Sequence, residues 1–235
     1  MSINGMKIGV VIPTRNEAEA LPKVLQAIPA YVDVIAIGDY NSTDGTVDIA
    51  REHGALVAHV AASGYGRACL EALVLLPPVD IVVFLDGDAA DDVSAMTELL
   101  NPILAGAADF TLGSRVLGES ERWALTPQQI VGNALACFLM RIFWRTRFTD
   151  LGPFRAISWE ALNRLGMADL NYGWTVEMQI KAARLGLRTV EIPVKYRRRI
   201  GVSKVSGTLG GAVRAGCKIL WVIGREAVRP LPIRG

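Results

Sequence analysis

The segment Val82-Val-Phe-Leu-Asp-Gly-Asp-Ala-Ala-Asp-Asp92 sets four aspartates, Asp86, Asp88, Asp91 and Asp92, directly behind an apolar run. Residues 81–85 read as a strand buried on both faces, and a strand that stops on Asp-Gly-Asp carries two carboxylates onto a tight turn. Crowded carboxylates repel and raise each other's pKa unless a cation relieves them. Mg²⁺ or Mn²⁺ favours such hard oxygen ligands and completes its shell with water and phosphate oxygens. Asp86 and Asp88 are therefore expected to hold a divalent cation and, through it, a diphosphate. Asp91 and Asp92 are expected to open the next helix and complement its dipole.

Upstream of this stretch, short β-branched runs alternate with helical patterns. Residues 7–13, 34–38, 56–60 and 80–85 read as strands, and residues 18–28, 43–53, 66–76 and 93–104 as helices. That alternation predicts a mostly parallel α/β sheet flanked by helices, in which ligands gather beyond the carboxyl ends of the strands. The loops at those ends are PTRNE (13–17), DYNSTDGT (39–46), SGYGR (63–67) and DGD (86–88). Any one of them is ordinary turn chemistry; four on one sheet edge point to a ligand. The G-x-G of the third lacks a third glycine and follows the third strand, which excludes a dinucleotide fingerprint. Downstream, residues 109–114, 154–157 and 190–194 read as further strands. Residues 127–144, 174–185 and 209–223 read as helices, and another follows the 154–157 strand.

Composition narrows the class. With 51% hydrophobic and 20% charged residues the 235-residue chain is globular. The start, MSINGMKIGVVIPTRNE, lacks the pattern of a secretory signal, and no apolar run approaches the ~18 residues of a spanning helix. Cys69, Cys137 and Cys217 are far apart and form no C-x-x-C, so a zinc site or disulfide framework is not expected and a reducing cytoplasm is. His53 and His59 are the only histidines and are expected at the surface or a strand edge. Residues 195–235 carry ten Lys or Arg against Glu226 alone. Such a basic segment attracts phosphates. It contains no nucleic-acid-binding motif, and no nucleic-acid partner is expected.

Seven motifs in order, PTRNE, DYNSTDGT, GYGRA (64–68), FLDGDA (84–89), GSR (113–115), TDLGPFRAI (149–157) and RRIGVSK (198–204), resemble those of family 2 glycosyltransferases, most closely the dolichol-phosphate mannose and glucose synthase-like branch. The resemblance spans about residues 7 to 205. It implies a GT-A (Rossmann-like) fold over residues 1–205, with a basic amphipathic C-terminal helix and tail at 206–235. It also implies a nucleotide-sugar donor, a divalent metal and inverting transfer, with a polyprenyl phosphate as the acceptor of that branch. By the same resemblance Pro13, Thr14, Asn16, Glu17 and Asp39 would line the nucleoside pocket, with Gly64, Gly66 and Arg67 in a loop flanking the base. Asp86, Gly87 and Asp88 match the metal-binding D-x-D. Arg198, Ser203 and Lys204 match a loop that covers the diphosphate, where cations offset leaving-group charge. Tyr40 stands where the family has a second acidic residue.

An attacking hydroxyl would need a general base, for which Asp150 and Glu177 are the candidates. An attacking phosphate would need none, leaving Asp150 to orient the acceptor or hold Arg155 and Glu177 to partner an Arg. Arg115 follows the fifth strand and is placed to reach a phosphate or a carboxylate. Tyr172 and Trp174 are open to either sugar stacking or core packing. Residues 134–148 and 208–225 combine large apolar side chains with Arg and Lys, a pattern that suits a membrane surface, domain packing or a homo-oligomer contact. Two other classes stay in view. A sugar nucleotidyltransferase would carry a Gly-rich basic loop after the first strand instead of PTRNE, and a binding module without turnover would fit the loss at Tyr40.

Overall fold

The computed structural model describes residues 3–201 and 209–229. Within them a seven-stranded sheet has the order β3-β2-β1-β4-β6-β5-β7, built from β1 (Ile8–Thr14), β2 (Val34–Asp39), β3 (Leu56–His59), β4 (Ile81–Phe84), β5 (Phe110–Ser114), β6 (Arg155–Ser158) and β7 (Thr189–Pro193). The helices are α1 (Leu21–Ala27), α2 (Thr46–Glu52), α3 (Tyr65–Leu75), α4 (Met96–Leu104), α5 (Pro127–Trp144), α6 (Trp159–Leu165), α7 (Trp174–Arg184) and α8 (Leu209–Val228).

The central strands are apolar along their whole length because each face has its own core. Ile8, Val10 and Ile12 of β1, with Ile81 and Val83 of β4, pack toward α1 and α4. Val11, Val82 and Phe84 turn the other way, toward α3, α6 and α7, as the two-residue period of a strand requires. A third cluster joins α5 (Ala136, Cys137, Met140), α7 (Val176, Ile180) and α8 (Val222, Ile223).

The first four strands are parallel, and β5 is parallel to β7. The apolar pattern gives no sign that β6 is antiparallel to both neighbours, β4 and β5. This reversal positions the site. The residues that precede β6, Thr149 to Phe154, lie at the same edge as the residues that follow β1, β2, β4 and β5. Local signals set the helix ends nearby. Thr126 and Gln129 form a reciprocal capping box on α5 with Pro127 in its first turn. Ser158 caps α6, which ends on Gly166 in a left-handed conformation.

Candidate functional site

The first two loops at the carboxyl edge are tied into one unit. Asn16, at φ 53°, donates its backbone N–H to Ser42 Oγ at 2.8 Å and accepts from the Thr43 N–H at 2.8 Å. The Glu17 N–H donates to Thr46 Oγ1 at 2.9 Å, and Thr46 in turn donates its N–H to Asp44. Asp39 is buried beneath them, accepting from Thr14 Oγ1 at 3.1 Å and from the backbone N–H and hydroxyl of Ser42. Asn16 and Asp39 thus hold the loops in place, while Pro13, Thr14, Glu17 and Tyr40 line a cavity of 170 Å³. The Tyr40 ring lies under the Arg15 guanidinium at 4.8 Å, so the position that is acidic in the resembled family is here aromatic and cation-stacked.

Gly64 lines the same cavity at φ 155°, and a Cβ there would stand 2.0 Å from the Leu170 carbonyl oxygen. Gly66 and Arg67 lie not in a loop but in the first turn of α3. Their role is docking. A Cβ on Gly66 would meet the Asp169 carbonyl oxygen at 1.9 Å, and the Arg67 N–H donates to the Leu170 carbonyl at 3.0 Å.

The acidic turn after β4 forms the floor. Asp88 accepts from the Ala90 N–H at 3.0 Å, and its other oxygen lies 3.2 Å from the Arg199 guanidinium. Asp86 accepts from the Tyr65 hydroxyl at 2.9 Å. Burial, reinforced by the charge of Asp88, raises Asp86 to about 7. Gly87 packs against Ile12 and Thr14, with room for a Cβ only 3.1 Å from the Thr14 methyl.

The two following aspartates differ from each other. Asp92 caps the 3₁₀ turn at Val93–Ala95 by accepting from the Ser94 N–H. Asp91 does not open that turn. It is buried beside Asp86 with one carboxylate oxygen lacking any hydrogen-bond partner among the described residues. Burial, then Asp86 and Asp88, raise it well above the carboxylate range. No cluster of three acidic, His or Cys side chains suited to a metal occurs among the described residues. Asp86 and Asp88 line the floor of the cavity, with Asp91 buried behind them.

The basic segment before residue 202 reaches this floor through Arg199, one residue beyond the expected Arg198. Arg199 bridges Asp88 and Glu17, the latter at 3.5 Å. Arg198 is exposed and turns away, its N–H donating to Glu121 and its Nε to the Arg122 carbonyl. The backbone explains the choice. The N–H groups of Arg197 and Ile200 donate to the carbonyls of Ala90 and Asp88 at 2.8 and 2.9 Å, and that register aims Arg199 inward. Ser203 and Lys204 lie outside the described residues.

A second, larger cavity of 370 Å³ opens on the other side of the acidic floor. Its walls come from α5 (Gln128, Gly132, Asn133), α8 (Val213, Gly216, Ile219), Leu151 and Pro153. The two cavities share Tyr65, Asp86, Asp88, Tyr172 and Arg199. Trp174 is in neither; it is buried and packs edge-on against Phe84 at 5.9 Å.

Neither expected base is available. Asp150 is fully buried and gripped by the Arg115 guanidinium through two hydrogen bonds of 2.7 Å, with a further bond from the Arg115 N–H. Burial works to raise its pKa, but Arg115 outweighs burial and holds it below the usual carboxylate range. Its partner is thus Arg115 and not Arg155, whose buried guanidinium binds the carbonyls of Leu151, Gly152 and Thr175. Glu177 is buried away from both cavities, accepting from the Asp169 N–H and paired with Lys181. Sequence reasoning missed Tyr65 and Arg199. The first sits inside the Gly-rich motif and the second next to the motif arginine, so neighbouring letters carried the only signal.

The sequence profile of Glycosyl transferase family 2 matches residues 9–166. An uncharacterized glycosyltransferase of Mycobacterium tuberculosis strain H37Rv is 37% identical over 212 residues, 90% of this chain and 95% of that one. A dolichyl-phosphate hexose transferase of Haloferax volcanii is 31% identical over 228 residues, covering 94% and 96%. Glucosyl-3-phosphoglycerate synthase from M. tuberculosis, solved with Mn²⁺, UDP-glucose and glycerol 3-phosphate, superposes with a TM-score of 0.74 at 23% identity, over 97% of this chain and 82% of that one. That likeness establishes the GT-A architecture. The profile and the full-length relatives together place the chain in family 2 of the glycosyltransferases, and it is a glycosyltransferase.

Proposed function

We propose that the protein transfers a hexose from a UDP- or GDP-linked sugar to a polyprenyl phosphate, with a divalent cation at Asp86 and Asp88 and inversion at the anomeric carbon. The observation that carries this reading is the pair of cavities meeting at those two carboxylates. The smaller is rimmed by the β1, β2 and α3 loops and suits a nucleoside diphosphate; the larger is walled by helices and suits a lipid phosphate.

The donor set fits a hard cation. Two carboxylates on a turn, next to a cavity for phosphates, are what Mg²⁺ or Mn²⁺ uses when it keeps water and substrate oxygens. Such a cation, when bound, stabilises negative charge on the departing diphosphate. The relative solved with Mn²⁺ and UDP-glucose supports it. In this reading Pro13, Thr14, Glu17 and Gly64 contact the nucleotide, while Asn16 and Asp39 fix the loops around it. Arg199 and Lys204, with Ser203, offset diphosphate charge as the bond to the anomeric carbon breaks. Residues 1–205 hold the donor machinery, and α8 closes the acceptor side.

The engaged state of Asp150 and Glu177 favours a phosphate acceptor. A phosphate oxygen is already anionic. It attacks the anomeric carbon directly, and the electron pair of the breaking carbon–oxygen bond leaves on the nucleoside diphosphate, with no proton to remove. The Haloferax relative's name supports a lipid-phosphate acceptor. Calorimetric titration with UDP- and GDP-sugars, with and without Mn²⁺, tests the donor half. Binding of one nucleotide class that requires Mn²⁺ and is lost in Asp88→Ala is the expected result; Mn²⁺-independent affinity unchanged by that substitution removes the metal from the mechanism. Lys204→Ala is expected to lower turnover more than donor affinity, and full activity in that variant would take the loop out of the reaction.

A further inference from the structure

On the reading that the acceptor is lipid-linked, we infer that the outward faces of α5 and α8 form a docking surface for an anionic bilayer, which presents the acceptor to the larger cavity. The sides of α5 are inverted relative to a helix that only packs a core. It buries the small or flexible Ala136, Cys137 and Met140 and exposes Val131, Leu135, Phe138 and Ile142, spaced four, three and four residues apart on one face. Phe138 is 58% and Ile142 56% exposed, and Phe143 stands exposed beside them. On α8, Leu220 and Trp221 are exposed while Val222 and Ile223 are buried. The two helices share one seam with α7 through their buried sides.

Charge selects the occupant. Residues 127–148 contain Arg141, Arg145 and Arg147 and no acidic residue, and α8 carries Arg214, Lys218 and Arg225 against one acid, Glu226, which is buried and paired with Arg184 and Arg225. Trp221 sits between Lys218 and Arg225, 4.5 and 4.8 Å from its ring. An exposed apolar face rimmed by cations, with an aromatic ring among them, matches the acyl and headgroup levels of an anionic membrane. A second copy of the same face would bring cations against cations. No helix among the described residues is long and apolar enough to cross a membrane. Gly132 of α5 and Gly216 of α8 line the cavity, so the same pair of helices that meets the lipid also walls the route to Asp88.

Co-sedimentation of the full chain with phosphatidylcholine vesicles, with and without phosphatidylglycerol, tests the surface. Binding is expected to phosphatidylglycerol vesicles only, to weaken with added salt, and to fall roughly tenfold or more in the Phe138→Glu/Ile142→Glu variant. Arg141→Gln/Arg145→Gln, which leaves the apolar face intact, is expected to weaken binding severalfold. Thermal melting by circular dichroism checks that each variant is folded. Wild-type protein that ignores anionic vesicles, or variants that bind as it does, overturns the inference. A solution dimer dissociated by Phe138→Glu overturns it too, because a second copy would then cover the face. Nucleotide-sugar titration separates the two readings: donor binding without vesicle binding defeats the docking surface alone, and vesicle binding without donor binding defeats the donor reading alone.

Discussion

Arg199 sets its guanidinium on Asp88, at 3.2 Å, and on Glu17. A guanidinium on a ligand carboxylate competes with a metal for the same oxygens. Arg199→Ala is therefore expected to tighten Mn²⁺ binding in the absence of donor by roughly fivefold while lowering turnover. Arg198→Ala, with its side chain exposed on the Arg122 carbonyl, is expected to change neither; metal titration followed by steady-state kinetics distinguishes the two arginines. Arg115 and Asp150 make a different kind of pair, buried and bidentate. Removing one member leaves an uncompensated charge, so Arg115→Gln is expected to cost about 3 kcal/mol at neutral pH.

That cost depends on pH. In the wild type Asp150 titrates below its unfolded value, so its contribution is complete above about pH 4 and fades only as pH falls through the depressed folded value. In the variant the buried carboxyl lacks its cation and its pKa rises; acid then neutralises it and relieves the penalty. Denaturant unfolding of both proteins should show a gap that is widest at pH 7 and narrows toward pH 4.

At the scale of elements, α3 depends on its first turn. Gly66 has no space for a methyl group against the Asp169 carbonyl, and the Arg67 N–H donates to the adjacent Leu170 carbonyl. Gly66→Ala forces a backbone shift of the kind that costs about 1–3 kcal/mol. It is expected to lower the melting temperature and, by displacing Tyr65 from Asp86, to weaken donor binding. The elements themselves were legible. α5 occupies the expected residues 127–144, and its Thr126–Gln129 capping box is a start signal that the letters carry; β1 and β4 stand out as unbroken apolar runs. The orientation of β6 was not legible. Four residues between a loop and a helix have no pattern that distinguishes parallel from antiparallel, and the choice follows from pairing with β4 and β5.

For the whole molecule, the site joins strands that are far apart in sequence, so a ligand there should stabilise the fold. At a hundred times its dissociation constant a ligand adds about 2.7 kcal/mol, which for a chain of this size corresponds to roughly 5–10 °C. UDP or GDP with Mn²⁺ is expected to raise the melting temperature by that amount in the wild type and not in Asp88→Ala, as scanning fluorimetry can check. The D-x-D floor was legible because a strand ending in two carboxylates points to the carboxyl edge of the sheet. The burial of Asp91 was not, since an aspartate before a helical turn reads as a cap whether it faces solvent or core.

The segment from Lys195 to Gly201 crosses back over the acidic turn. Lys195, Arg197 and Ile200 are bonded to Asp92, Ala90 and Asp88, and Tyr196 is bonded to Glu119 and Glu121. It works as a seam sewn on both sides, joining the acidic turn that both cavities share to the segment that follows β5. For protein engineering this makes it a poor place to cut, lengthen or tag. A single residue inserted between Lys195 and Arg199 would advance the later side chains by one position, moving Arg199 from the inside of the site to the outside while the sheet itself stayed unchanged.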